Sequence, residues 1–137
     1  MAAEIPDDVR ALFEGANYGH VATLLPDGSP HSVPVWVCLQ DGRVGFFTQE
    51  GSRKARNLER DGRVAISITD HDNPYRMASM QGRVLEVRDD EGCRFMDPIS
   101  LKYTGAPFPS RGADRVCFAI EIDRAWQTTL GFEHRPR

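Results

Sequence analysis

The run Thr48–Arg60, T-Q-E-G-S-R-K-A-R-N-L-E-R, gathers the side chains in this sequence best suited to holding an anion. It reads as a strand end, a Gly51-Ser52 turn and the start of a helix carrying Arg53, Lys54 and Arg56. The first turn of a helix presents N–H groups without intrahelical acceptors, and the helix dipole puts positive charge at the same end. A hydroxyl from Ser52 and a cationic head from Arg53 or Lys54 would complete a phosphate seat. The same residues also suit a solvated amphipathic helix whose cations pair with Glu50 and Glu59, and spacing alone favours neither.

Two further segments could line a groove. Ser32-Val33-Pro34-Val35-Trp36 is expected to run beside Val44–Thr48, where backbone and small side chains could lie along a flat ring system. Trp36 would then edge a cofactor or a partner, or simply pack. In Asn73-Pro74-Tyr75-Arg76 the proline could fix Tyr75 and Arg76 at a cleft, or the segment could merely connect strands. No nucleophile motif, P-loop, dinucleotide fingerprint or H-E-x-x-H occurs. His20 and His31 could face each other across a hairpin, but the histidines are scattered and no metal is expected. Cys38, Cys93 and Cys117 form no C-x-x-C and read as small buried thiols rather than a disulfide framework or zinc site.

A chain of 137 residues predicts one domain spanning 1–137. With 17 basic against 20 acidic residues the net charge is −3, which argues against general binding to nucleic acid or anionic membranes but leaves room for a local phosphate site. The longest apolar stretch, Val33–Leu39, is interrupted by Pro34 and too short to span a bilayer. Met1–Arg10 carries Glu4, Asp7 and Asp8 and lacks the apolar segment of a secretory signal, so the cytoplasm is the expected location.

Several elements must position these residues. Val9, Leu12 and Phe13 have helical spacing after Pro6, predicting a short helix capped by Asp7 and stopped by Gly15. His20–Leu25 and His31–Leu39 flank the turn Pro26-Asp27-Gly28-Ser29, and a second turn at Gln40–Arg43 leads into Val44–Thr48, so a three-strand meander is expected. Pro34 has no N–H and belongs at an edge or bulge. Ser52 should cap a helix over Arg53–Arg60 that ends at Asp61-Gly62. Strands follow over Arg63–Thr69 and Tyr75–Val87, the latter with a bulge at Gly82. A helix weakened by Gly92 and Pro98 covers Asp89–Tyr103, then come a Gly/Pro loop over Thr104–Asp114, a strand over Arg115–Ile122 and a tail over 125–137. The fold class is mainly β: six antiparallel strands that remove their edges by closing into a barrel with peripheral helices.

One ordered set of motifs is specific as a whole: G-H-V-A-T-L-L-P-D-G-S-P-H-S-V-P-V-W at 19–36, S-R-K-A-R-N-L-E-R-D-G-R-V-A-I-S at 52–67, D-N-P-Y-R at 72–76, G-R-V at 82–84 and K-Y-T-G-A-P-F-P at 102–109. It resembles the flavin and deazaflavin oxidoreductases with the pyridoxamine 5′-phosphate oxidase-like, FMN-binding split barrel, especially the branch using coenzyme F420. The resemblance covers nearly the whole chain. It implies a six-stranded split β-barrel that is a homodimer with cofactor grooves between its barrels. Lys54 matches the phosphate lysine, with Ser52, Arg53 and Asn57 at neighbouring tail-contacting positions. Pro34, Val35, Trp36, Thr48 and Gln49 match positions lining the ring, and Tyr75 and Arg76 resemble residues flanking the groove. The implied reaction is hydride transfer between reduced F420 and a small electron-poor or conjugated substrate, the chemistry belonging to the cofactor and no side chain serving as acid or base. FMN in the same fold and a non-catalytic flavin or F420 carrier are alternatives, and a heme-handling barrel would need His134 as ligand. The tail from Arg124 matches no family pattern and would either close the partner's active site or end the chain as a mobile segment.

Overall fold

Alternating apolar residues bounded by Gly, Pro and Asp turns produce seven strands in the computed structural model, which describes residues 3–109, 111 and 114–136. Residues 110, 112 and 113 of the Gly/Pro loop, 1 and 2 of the opening segment and 137 of the tail lie outside the described residues. The strands are β1 (Gly19–Leu24), β2 (Pro30–Val35), β3 (Cys38–Gln40), β4 (Arg43–Gln49), β5 (Arg63–Thr69), β6 (Arg76–Asp89) and β7 (Arg115–Thr129). All neighbours are antiparallel, in the order β2-β1-β5-β6-β7-β4-β3.

The expected strand His31–Leu39 is divided at Trp36-Val37, which gives seven strands in place of six and replaces the meander by two separated hairpins. The physical reason lies at Val37. Its N–H donates to the Tyr103 hydroxyl at 3.1 Å, and its carbonyl accepts from the Lys102 ammonium at 2.5 Å, so neither group is available to a ladder. β2 pairs with β1 and β3 with β4, at opposite edges of the sheet. Two edges joined through Trp36-Val37 can be reconciled only if the sheet curls round on itself, and this closes the split barrel. Pro34 lies on edge strand β2, where its missing N–H costs nothing.

Inward side chains fill the barrel: Val21, Val44, Phe46, Val64, Ile66, Ile68, Met80, Phe118, Ile120 and Ile122 are buried. Phe46 and Phe118, directly opposite on β4 and β7, stack at 5.3 Å. Helix α1 (Asp7–Glu14) adds Val9, Leu12 and Phe13, and helix α2 (Arg53–Arg60) adds Ala55 and Leu58. The cap of α1 is Pro6, with no side-chain hydrogen bond, and Asp7 falls inside the first turn instead.

Other expectations are corrected in detail. His20 lies opposite Pro34 and His31 opposite Thr23, so the two histidines are offset along the hairpin rather than facing. The long helix breaks at Gly92, whose φ of 67° no right-handed helix accommodates, leaving a single 3₁₀ turn (Glu91–Cys93) and α3 (Met96–Thr104). The Asp90 carboxylate accepts from the Phe95 and Met96 N–H groups at 2.9 Å each and restarts the chain. Pro98 is accommodated in the first turn of α3, where its N–H would have had no acceptor. The bulge falls where Gly82 predicted it, between Gln81 and Gly82 of β6. β7 continues to Thr129, so 125–129, assigned to the tail by sequence, pair with the first residues of β6.

Candidate functional site

β4 delivers the chain to helix α2 through Glu50, Gly51 and Ser52. Gly51 takes a φ of 77° and has open space around it, so the turn stands clear of the barrel. The Ser52 hydroxyl accepts from the Ala55 N–H at 3.3 Å and meets the Thr48 hydroxyl at 3.1 Å, fixing the start of the helix to the end of β4. The Arg53 and Lys54 amides, first in the helix, have no intrahelical acceptor. Arg53 and Arg56 are exposed and Lys54 is half-buried. None of the three makes an ion pair among the described residues, so the pairing with Glu50 and Glu59 is not what these cations do. Burial holds the Lys54 ammonium below the ordinary lysine range, the condition of a cation partly stripped of water with no anion in exchange.

Asn57 and Thr48 occupy supporting positions. Asn57 is fully buried, and its amide donates to the Thr23 hydroxyl on β1 at 3.0 Å. Its carbonyl oxygen takes the Arg60 guanidinium at 3.4 Å, while Arg60 also donates to the Leu24 carbonyl. Asn57 thus ties α2 to β1 and is fully buried beneath the helix. Asn57→Ala should remove about 1–3 kcal/mol of stability by stranding the Thr23 hydroxyl in the core, read from the chemical-denaturation midpoint at unchanged slope. The Thr48 side chain likewise points inward, 7% exposed, against Ser52. Val35 faces the core, against which it packs partly buried.

Gln49 is exposed on the outward side of β4, its amide donating to Asp114 at 3.0 Å. Two residues back on the same face stands Phe47, and there the surface changes character. Trp36 stacks on Tyr103 with centroids 5.2 Å apart and planes 6° from parallel. Phe47 and Phe108 meet Trp36 edge-on, each at 6.3 Å. Tyr18 leans on Tyr103 at 5.8 Å, and the Arg115 guanidinium, opposite Gln49 on β7, lies 5.5 Å over the Phe108 ring. Burial pushes the Tyr103 hydroxyl up to about 12, so it stays a neutral donor, bonded to the Asn17 carbonyl at 2.5 Å. Pro34 is exposed on the outward face of β2 beside this wall. Sequence reasoning named Trp36 but not Phe47, Tyr103, Phe108 or Arg115. Phe47 carried the strand alternation it shares with Gln49, and Tyr103 and Phe108 lie inside the K-Y-T-G-A-P-F-P motif at 102–109, which does not say where either ring points.

Tyr75 and Arg76 lie elsewhere in the subunit. Helix α2 leads into β5 at Arg63, whereas Tyr75 and Arg76 adjoin its other end, since Thr69 pairs with Met77. The length of β5, roughly 20 Å for its seven residues, separates them from the end of α2, whereas the aromatic wall reaches their loop through Asn17, whose carbonyl accepts from Tyr103 and whose side chain accepts from the His71 N–H at 2.8 Å. Arg76 faces Asp70 at 3.9 Å, and Tyr75 contacts Phe132 at 5.3 Å and His134 at 6.3 Å. No cluster of three His, Cys, Asp or Glu side chains suited to a metal occurs among the described residues. Nor is any helix among them long and apolar enough to cross a membrane.

Comparison with known proteins places this geometry in context. No curated protein sequence matches the chain. A solved structure named F420 reductase is 29% identical, with a TM-score of 0.80 over 89% of this chain and 98% of that one. Rv2991 from Mycobacterium tuberculosis is 25% identical, with a TM-score of 0.76 over 99% of this chain and 93% of that one. General Stress Protein 26 from Bacillus anthracis, 18% identical at a TM-score of 0.70 over 89% and 92% of the two chains, shares the fold. The family model for pyridoxamine 5′-phosphate oxidase matches residues 5–129. With the closed split barrel, the capped basic turn after β4 and that match in register along almost the whole sequence, the chain belongs to the pyridoxamine 5′-phosphate oxidase family.

Proposed function

We propose that this protein is an F420-dependent oxidoreductase that transfers a hydride between reduced F420 and a small electron-poor or conjugated organic molecule. The observation that carries the reading is the outward face of β4, where Phe47 belongs to an aromatic cluster and Gln49, two residues on, leads toward the basic start of α2. Arg53 and Lys54, without ion-pair partners among the described residues, stand at the start of α2, and Gln49 links them to the Trp36–Phe47–Phe108 wall. A cofactor with an acidic tail and a flat ring fits both ends. The likeness to an F420 reductase at 29% identity supports the same assignment.

In this reading Lys54, the free Arg53 and Lys54 amides and the Arg53 side chain hold the tail. Thr48, Ser52 and Asn57 keep the turn rigid so that these donors are preorganised. Pro34, Trp36 and Gln49 border the ring, and the aromatic wall excludes water from its edge. When bound, the deazaflavin supplies the hydride, and the acceptor takes its proton from solvent. Tyr75 and Arg76 lie a strand's length from the end of α2, and in this reading the protein is a homodimer in which a second barrel completes the groove.

Equilibrium titration with F420 and with FMN tests the assignment. F420 should bind more tightly, because Arg53, Lys54 and Arg56, which make no ion pair among the described residues, offer three cations to an extended acidic tail, where FMN presents a single phosphate to Lys54 and the helix start. Tighter FMN binding would make the protein a flavin enzyme of the same family. Binding of neither would overturn the reading.

A further inference from the structure

A second cluster of polar and aromatic side chains lies on the outward face of β3, β4, β7 and β6. Pairing puts Arg88 of β6 opposite Cys117 of β7, so both side chains leave the same face. On that face Gly45 of β4 stands between Ala119 of β7 and Cys38 of β3. A Cβ on Gly45 would come within 2.8 Å of the Phe95 ring, so the bare backbone there seats Phe95 against the sheet. Beside Phe95 opens a cleft of about 580 Å³, bordered by Gln40, Arg88, Asp89, Arg94 and Cys117. Sites for small organic molecules run to roughly 300–1,000 Å³, and this cleft falls within that range. Cys117 is buried, Phe95 is half-exposed, and Arg88 and Arg94 are exposed.

The cations of the cleft are poorly matched by its own carboxylates. Asp90, which also lines it, commits both carboxylate oxygens to the Phe95 and Met96 N–H groups at 2.9 Å each. Arg88 meets Glu86 at 3.4 Å on open surface. Arg94 makes no ion pair among the described residues. We propose that this cleft is a binding site for a flat aromatic monoanion, an aromatic carboxylate whose ring lies against Phe95 and whose charge is held by Arg88 and Arg94. A guanidinium presents its N–H groups as a fork that matches the two oxygens of a carboxylate. Asp89, the lining carboxylate with no hydrogen bond among the described residues, repels a second negative charge and so disfavours phosphate esters. None of the bordering residues belongs to the basic turn or to the Trp36 cluster, so the site is independent of the cofactor reading.

Isothermal titration of the full chain with 2-naphthoate tests the proposal. On the wild type, 2-naphthamide has the same shape without the charge and should bind at least about tenfold more weakly. Decahydro-2-naphthoate keeps the carboxylate but not the flat ring, and should bind about fivefold more weakly. Neither comparison depends on a variant. Arg88→Ala and Arg94→Ala, both at exposed positions, should each weaken 2-naphthoate about tenfold. Lys54→Ala, at the start of α2, should leave its affinity within about twofold. Absence of 2-naphthoate binding, equal affinity for the amide or for the saturated acid, or a loss on Lys54→Ala without one on Arg94→Ala would each overturn the site. F420 and FMN titrations read the cofactor assignment separately, so either conclusion can fail alone.

Discussion

Lys54→Ala is expected to weaken cofactor binding about ten- to one-hundredfold, the roughly 1.5–3 kcal/mol of one charge-assisted hydrogen bond to an anion. The effect should be large for this cation because the barrel has already removed part of its water and no ion pair to it forms among the described residues. A half-buried ammonium is costly by itself, and in the proposed reading an acidic tail would offset that cost on binding. The pH dependence follows with a definite sign. Burial lowers the Lys54 pKa, so in the empty protein the charged form begins to disappear below the ordinary lysine range. A bound anion favours the charged form, so affinity should fall as pH rises through this early titration. Lys54→Arg, which stays charged, should keep its affinity over the same interval. The lowered pKa also makes the folded state release its proton before the unfolded chain does, so Lys54 contributes stability that rises with pH there. Isothermal titration at a series of pH values on the wild type, Lys54→Ala and Lys54→Arg checks the three binding statements, and the chemical-denaturation midpoint of wild type and Lys54→Ala over the same pH values checks the fourth. A pH-independent wild-type affinity would remove Lys54 from the tail site.

Gly82→Ala should be among the most damaging small substitutions in the chain, costing roughly 3 kcal/mol or more. A Cβ on Gly82 would run into the Glu121 carbonyl oxygen, lie 3.1 Å from its carbon and come within 3.2 Å of an Ile120 methyl. The obstructing atoms are the backbone of the neighbouring strand, paired here with the bulge, and cannot rotate away. Arg83, the next residue, pairs with Glu121 at 2.9 Å and also with Asp123, which holds the bulged segment down. Gly28→Ala is the matched control. Its φ of 86° is uncomfortable for alanine, but nothing lies within 4 Å, so the loss should be about 1 kcal/mol. Thermal denaturation of the two variants side by side separates the mechanisms. Equal shifts would mean that β6 and β7 can part at the bulge more easily than this packing allows.

The same two positions show how far local pattern reaches. Gly82 inside a strand of β-formers marked the bulge before any coordinates, because a residue without a Cβ is used where another backbone comes close. Pattern did not say which backbone. Ser52 ahead of a basic helical run marked the cap, since that hydrogen bond spans three residues and is local. Whether Arg53, Lys54 and Arg56 were a solvated face or a seat for an anion stayed open, because pairing with Glu50 or Glu59 depends on where the fold points each side chain.

Period-two alternation, turn chemistry and the spacing of polar punctuation are properties of neighbouring residues, and from them the sequence by itself determined a mainly β chain, its strand-forming segments, the capped basic turn and the position of the bulge. Tertiary structure alone decided that the strand through Trp36 is cut in two, because the groups that satisfy Val37 come from Lys102 and Tyr103, 65 and 66 residues away. It alone made Asn57 a core strut, set Tyr75 and Arg76 a strand's length from the end of α2, and gathered Phe47, Tyr103, Phe108 and Arg115 around Trp36. Those outcomes depend on which distant backbone and side-chain groups meet once the barrel closes, and no local pattern encodes a partner so far along the chain.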